Sequence, residues 1–187
     1  MAITKKKLTT YQMAITALFT ALLCILSPIA LPVGPVPISL ATLVIYLGVY
    51  LLGSKLGTLS VLLYLVLGAV GLPVFSAYAG GIGKLVGPTG GYLIGYLPMA
   101  FLCGWIIEKS GKRVWLSVLG MILGTAVLYA FGTVWFVVLM KCEFWYALTV
   151  CVFPFLAGDA LKIVVATLIG APVRNRLVKA GYLKNRT

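Results

Sequence analysis

The chain has no histidine, and Asp and Glu together supply only three of its 187 residues. Without histidine it lacks the commonest general base and metal ligand. Three carboxylates, Glu108, Glu143 and Asp159, remain for any acid–base work, which disfavours most hydrolytic and metal-dependent mechanisms. The four cysteines, Cys24, Cys103, Cys142 and Cys151, contain no C-x-x-C pair, so neither a zinc site nor a disulfide framework is supported. Nucleotide loops are missing too. Gly83-Lys84 is followed by Leu85 and preceded by Tyr78 where a Walker motif needs Ser or Thr and Gly. A G-x-G-x-x-G fingerprint starting at Gly81 fails at Val86. The chain is therefore expected to hydrolyse no nucleotide and to carry no cofactor; any ATP energy comes from other subunits.

What the sequence does hold is apolar surface. Hydrophobic residues make up 62% and charged residues 10%, with a mean hydropathy of +1.13, the profile of a polytopic membrane protein. A single transmembrane domain over 1–187 is expected, with basic tails at 1–10 and 172–187. The net charge of +12 does not point to nucleic acid, because the basic residues punctuate the apolar runs instead of forming one water-facing patch. Lys5, Lys6 and Lys7 before an apolar run resemble a signal peptide, but no A-x-A site follows, so a retained first span is expected.

About 20 apolar residues cross a bilayer as a helix. Six such segments can be drawn: Tyr11 to Ala30, Ser39 to Leu52, Leu56 to Gly71, Gly91 to Ile107, Val114 to Met140 and Phe144 to Gly170. Placing both termini in the cytoplasm puts twelve basic residues inside and two, Lys84 and Lys141, outside. Lys162 lies within the membrane, which accounts for all 15, and the excess of Lys and Arg on one side selects this orientation. Glu108 and Glu143 then fall on opposite sides, so no carboxylate cluster forms with Asp159.

Two external loops stand out. Pro32, Pro35 and Pro37 in Leu31 to Pro37 forbid regular helix and predict a stiff lip. Leu72 to Gly90, between the third and fourth segments, is the one long connection, and its aromatic residues and dense glycine predict a lid or re-entrant segment. Gly80, Gly81 and Gly83 suit a ligand-cradling turn, whereas Gly91 and Gly95 suit close helix packing. Ala17 with Ala21, and Gly120 with Gly124, are further small-x-x-x-small pairs.

Asp159 and Lys162 are the most informative residues. They are the only ionisable side chains between Phe144 and Val173 apart from tyrosine and cysteine, and a charge mid-bilayer costs at least about 2.5 to 3.5 kcal/mol. Their i, i+3 spacing places both on one helical face. Counting inward from Arg174, Asp159 is roughly 22 Å deep at 1.5 Å per residue, at or above the midplane. Pro154 is expected to bend this helix and free a backbone carbonyl. A structural clasp is one reading of the pair; a ligand site opening outward beneath the two loops is the other.

GPVPISLATL at Gly34 to Leu43, GLPVF at Gly71 to Phe75, AGGIGKLVGPTGGYLIGY at Ala79 to Tyr96 and GDALKIVVATLIG at Gly158 to Gly170 resemble the BioY family in order and spacing over nearly the whole chain. These are the biotin-specific substrate-capture subunits, or S components, of energy-coupling factor (ECF) transporters. The resemblance implies an all-α membrane subunit of six helices that binds biotin from outside. It also implies docking on a transmembrane coupling protein with two ATPase subunits, in a bacterial cell membrane. It assigns the G-D-x-x-K acid and lysine, Asp159 and Lys162, to the substrate pocket, and Leu72 to Gly90, with Phe75 and Lys84, to a lid. Ala17 and Ala21 map to the A-x-x-x-A that meets the coupling protein. Many members carry Gln after P-I-S/T-L, where this chain has Ala41.

Biotin's ureido ring offers two N–H donors and a carbonyl on a compact apolar bicycle. A carboxylate such as Asp159 can accept from an N–H, and Lys162 can donate to a carbonyl or carboxylate. Tyr78 and Tyr92 are the expected aromatic walls, with Gly80 and Gly81 beside them; Phe75 and Trp135 are weaker candidates. Two other functions share the intramembrane charge: a membrane-embedded enzyme using Asp159 and Lys162 as acid and base, and a stand-alone ion-coupled vitamin carrier.

Overall fold

The computed structural model describes residues 9–31, 36–111 and 113–181. It is all-helical apart from one two-residue hairpin. Pro32 and Pro35 of the expected lip lie outside the described residues, as do residues 1–8 and 182–187 of the basic tails.

Helix α1, Thr10–Leu26, starts at a capping box in which the Thr9 and Gln12 side chains each accept from the other's backbone amide. Strands β1 (Ala30–Leu31) and β2 (Ile38–Ser39) then pair antiparallel. Helix α2, Ala41–Ala69, follows; Ser76–Tyr78 is a 3-10 turn and α3, Ile82–Val86, a single helical turn. Helices α4 (Gly90–Lys109), α5 (Val114–Met140), α6 (Phe144–Cys151) and α7 (Phe153–Lys179) complete the chain. Among the described residues four helices, α2, α4, α5 and α7, are long and apolar enough to cross a membrane, and α1 is a shorter apolar helix. Leu62, Val66, Phe101, Val138, Leu161 and Leu168 are exposed on outward faces, as bilayer-facing side chains should be.

The expected second and third segments are one element interrupted at Gly53, whose φ of +85° and ψ of −174° suit only glycine. The interruption strands helix-end groups, and two charges satisfy them. The Glu108 carboxylate on α4 accepts from the Ser54 amide and hydroxyl, both at 2.8 Å. Arg174 on α7 donates to the Tyr50 and Leu51 carbonyls at 3.1 and 3.2 Å. An acid at the start of one half and a base at the end of the other follow the helix dipole. A Cβ at Gly104 would overlap the Ser54 backbone, so α4 crosses here at its closest.

Sequence placed Phe144 to Gly170 in one span, but the structure breaks it at Val152 and begins α7 with Pro154 in its first turn. Proline lacks the amide that a continuous helix would need there. Beyond Gly170 the helix runs on to Lys179, so the expected C-terminal tail is ordered over its first half.

Glycine positions behave as two groups. A Cβ at Gly91 would enter the Trp135 side chain, and one at Gly95 would press on Leu128 and Phe131, so α4 packs closely on α5. Gly120 and Gly124 do the same from α5 against Ile106 and Cys103. Gly81, at φ +88°, instead turns the chain into α3. Helix α1 lies against the second half of α2, with Thr20 donating to the Ser60 carbonyl and Ser60 to the Thr16 carbonyl. Ala17 and Ala21 therefore face outward, beside exposed Met13, Leu18 and Ile25.

Candidate functional site

Phe155, Asp159, Lys162, Ile163, Ala166 and Gly170 form the buried stripe of α7, so the sequence spacing alone turns both charges inward. Asp159 and Lys162 are 4% and 8% exposed, and their ion pair is 2.9 Å long. A buried pair survives only if its remaining lone pairs and protons are largely satisfied as well, and here all but one are. Lys162 Nζ donates to Asp159 Oδ1 at 2.9 Å, to Thr42 Oγ1 at 3.0 Å and to the Ser39 carbonyl at 2.8 Å. An ammonium has three protons, so none is left. Asp159 Oδ1 also accepts from Thr42 at 3.2 Å, and Oδ2 accepts from the Tyr129 hydroxyl at 2.6 Å. A carboxylate offers roughly four acceptor directions; the remaining one is on Oδ2.

The cluster joins four parts of the fold: β2 through Ser39, the first turn of α2 through Thr42, α5 through Tyr129, and α7. It lies at one end of a narrow cavity of about 40 Å³. Tyr92, Leu93 and Tyr96 on α4, Leu128 on α5 and Phe155 on α7 supply much of the wall. Ser76 and Thr89, from the two ends of the 72–90 connection, reach it as well. Below it, Tyr46 and Thr125 share a 2.6 Å hydrogen bond that ties α2 to α5.

The expected site residues divide. Asp159, Lys162 and Tyr92 meet in the cavity; Tyr92 is held by its hydroxyl donating to the Cys151 carbonyl at 2.9 Å. Tyr78 is 69% exposed and is not in the cavity wall, because Ala77 and Tyr78 both take left-handed backbone that turns the side chain outward. Gly80 and Gly81 shape the turn above without lining the cavity; a Cβ at Gly80 would strike the Leu72 carbonyl. Phe75 is fully buried under that turn, edge-on to Tyr64 at 5.5 Å, in the hollow left by Gly68. Lys84 is half-buried on α3. Trp135 stands outside the cavity wall and donates to the Gly87 carbonyl at 3.0 Å, fastening the far end of the connection to α5.

Sequence reasoning missed Ser39, Thr42, Thr89, Tyr96 and Tyr129. The first two are polar residues in the quoted GPVPISLATL stretch and Thr89 is in GPTGG, which is a usable signal. Tyr129 gives none, since a lone tyrosine in an apolar segment reads as belt or core.

Comparison with known proteins follows the same lines. The sequence model of the BioY family matches residues 3–179. A Thermotoga maritima protein named biotin transporter BioY is 41% identical over 158 residues, covering 84% of this chain and 92% of the relative. A Rhizobium etli protein of the same name is 36% identical over 186 residues, with coverage of 94% and 96%. Among solved structures, the S-component for biotin from an ECF-type ABC transporter matches with a TM-score of 0.84 and 29% identity, over 90% of this chain and 95% of that one. The chain belongs to the BioY family.

Proposed function

We propose that this chain takes up biotin across the cell membrane as the substrate-binding subunit of an ECF-type transporter. The observation that carries this reading is the cluster of Asp159, Lys162, Thr42 and Tyr129 at one end of an otherwise largely apolar cavity in a membrane protein of this family. The open acceptor direction on Asp159 Oδ2 suits a ureido N–H, and Tyr92, Leu93 and Phe155 suit the apolar bicycle. Lys162 holds Asp159 in place through the 2.9 Å ion pair. The relatives are named as transporters, and a transporter subunit, not an enzyme, is the reading advanced for this chain.

Six spans with both ends cytoplasmic follow if the two halves of α2 each cross the membrane and turn at Gly53. The connection 72–90 is then the external lid, with Lys84 on it and Phe75 as its buried anchor. The outward Ala17 and Ala21 form the docking face for a coupling protein bearing two ATPase subunits, since small residues let a partner helix approach closely. A bacterial plasma membrane is the location.

Binding of labelled biotin to the purified protein tests this. Saturable binding in the nanomolar-to-micromolar range is expected, weakened by about 1.5 to 3 kcal/mol in Asp159→Asn, the scale of a hydrogen bond to a charged group. Absence of saturable binding would falsify the assignment, and an unchanged affinity in the variant would return the pair to a purely structural role.

A further inference from the structure

Asp159 and Tyr129 also line a second and larger space, a groove of about 240 Å³ between α5 and α7. Its walls are Ile122, Thr125 and Ala126 on α5 and Leu156, Ala160 and Ile163 on α7. With Tyr129 and Asp159 counted, each helix contributes positions i, i+3, i+4 and i+7, the face that ordinarily closes a helix–helix interface. Here Ala126 and Ala160 stand where larger side chains would interlock, and the gap stays open. Ile122 and Leu156 are each 49% exposed and both alanines are exposed, so the mouth of the groove faces lipid once α5 and α7 cross a bilayer. Asp159 and Tyr129 line the narrow inner cavity too, which makes them the partition between the two spaces.

The hydrogen bonds at this partition select what can occupy the groove. Every proton there is committed: Tyr129 donates to Asp159 Oδ2 at 2.6 Å, and Thr125 donates to the Met121 carbonyl at 2.7 Å while sharing a 2.6 Å bond with Tyr46. Only acceptors remain, namely the open direction on Oδ2 and a lone pair on the Tyr129 oxygen. An occupant with an O–H or N–H can pair here, whereas an ether or ester oxygen meets only lone pairs and an anion meets a carboxylate. A cation gains little, because Lys162 already neutralises Asp159 at 2.9 Å and a charge in the bilayer is costly. At about 30 Å³ per heavy atom, the share of a water in the liquid, the groove holds roughly eight such atoms.

We propose that the α5–α7 groove is a second binding site, entered from the bilayer, for an uncharged amphiphile with an apolar chain and one terminal hydroxyl or N–H. A medium-chain alcohol is the simplest member of that class. Its donor takes the open direction on Asp159 Oδ2. Resting on the biotin reading above, in which a ureido N–H takes the same direction, the two ligands exclude each other.

The test photolabels the purified protein in lipid vesicles with a diazirine-bearing octanol and maps the adducts by peptide mass spectrometry. Adducts are expected on the stretches 122–129 and 156–163. 1-Octanol should suppress them about 10-fold more effectively than its methyl ether, at equal concentration in the membrane, since the ether lacks the donor. Filling the groove with Ala126→Phe and Ala160→Phe together should abolish the adducts while biotin affinity and the unfolding midpoint stay as in wild type. Saturating biotin should protect the same stretches. Equal suppression by alcohol and ether, adducts that survive groove filling, or saturable biotin binding that leaves labelling unchanged would each overturn the site while the biotin reading stands. If wild type binds no biotin, that reading falls, and the alcohol–ether comparison still decides the groove.

Discussion

Breaking the Asp159–Lys162 pair from one side should be far more damaging than removing it whole. At 2.9 Å the Coulomb attraction is about 6 kcal/mol for an effective dielectric of about 20. Desolvation of the two ions offsets much of this, so the intact pair adds little net stability. Lys162→Met, however, leaves a buried carboxylate with only Thr42 and Tyr129 as donors and strips the Ser39 carbonyl of its partner. Asp159→Asn leaves a buried ammonium facing an amide. Each single variant is expected to lose about 3 to 5 kcal/mol of folding stability. In the double variant no charge remains, and the loss falls to that of a few unsatisfied polar groups, about 1 to 3 kcal/mol. The cycle should therefore show a coupling of about 3 kcal/mol or more, read from equilibrium unfolding of the four purified proteins in one detergent. Additivity within about 0.5 kcal/mol would refute the reasoning, since it would mean the two charges do not sense each other. The double variant should fold yet bind biotin poorly, because Asp159 is both half of the clasp and the acceptor left open to a ligand.

Two other outcomes follow from particular contacts. Gly53→Ala places a methyl in left-handed, glycine-only backbone and against the Glu108 carboxylate that caps Ser54; a loss of at least about 2 kcal/mol is expected in the same unfolding assay, and wild-type stability would show that the break in α2 does not need glycine. Ala17→Trp or Ala21→Trp, on the outward face of α1, should abolish ATP-dependent uptake in reconstituted vesicles while biotin affinity stays as in wild type; loss of binding as well would assign these residues to folding.

Much of the fold is legible in the sequence because lipid imposes long apolar helices with charges at their ends. The bounds of α5 agree with Val114 to Met140, and inward rotation of Asp159 and Lys162 follows from their spacing with Phe155 and Ala166. Where the reading departed from the structure, the cause was a property that spacing does not encode. Tyr78 was expected in the cavity because it is aromatic and near Gly80, but left-handed backbone at two consecutive residues turned it out. Glu108 and Arg174 read as flanking charges, and Arg174 as one vote for orientation. Both instead stabilise stranded helix-end groups at Gly53, a break that apolar patterning could show only as two short segments. Tyr129 was invisible for the opposite reason: neutral polar residues are common in membrane helices, and only the three-dimensional meeting with Asp159 distinguishes it.

The satisfied state of the cluster bears on how tight capture is achieved. If Asp159 and Lys162 were open to solvent, a ligand would have to displace water from each, and affinity would suffer from that desolvation. Here the protein has already surrounded both charges: Lys162 has no free proton, and Asp159 has one acceptor direction left. On the proposed reading, an incoming N–H adds to a preorganised carboxylate without breaking the pair, which keeps the reorganisation on binding small. Release must then come from moving the parts that hold the cluster together. Helix α7 carries the pair in its first half and Arg174 nearer its end, where the guanidinium grips the Tyr50 and Leu51 carbonyls at the break in α2. Thr42 is on the first half of that same helix. A shift of the α2 break relative to α7 would therefore reach the proposed ligand site through rigid helix at both ends, Thr42 on one side and Asp159 on the other, and draw Thr42 away from both the carboxylate and Lys162.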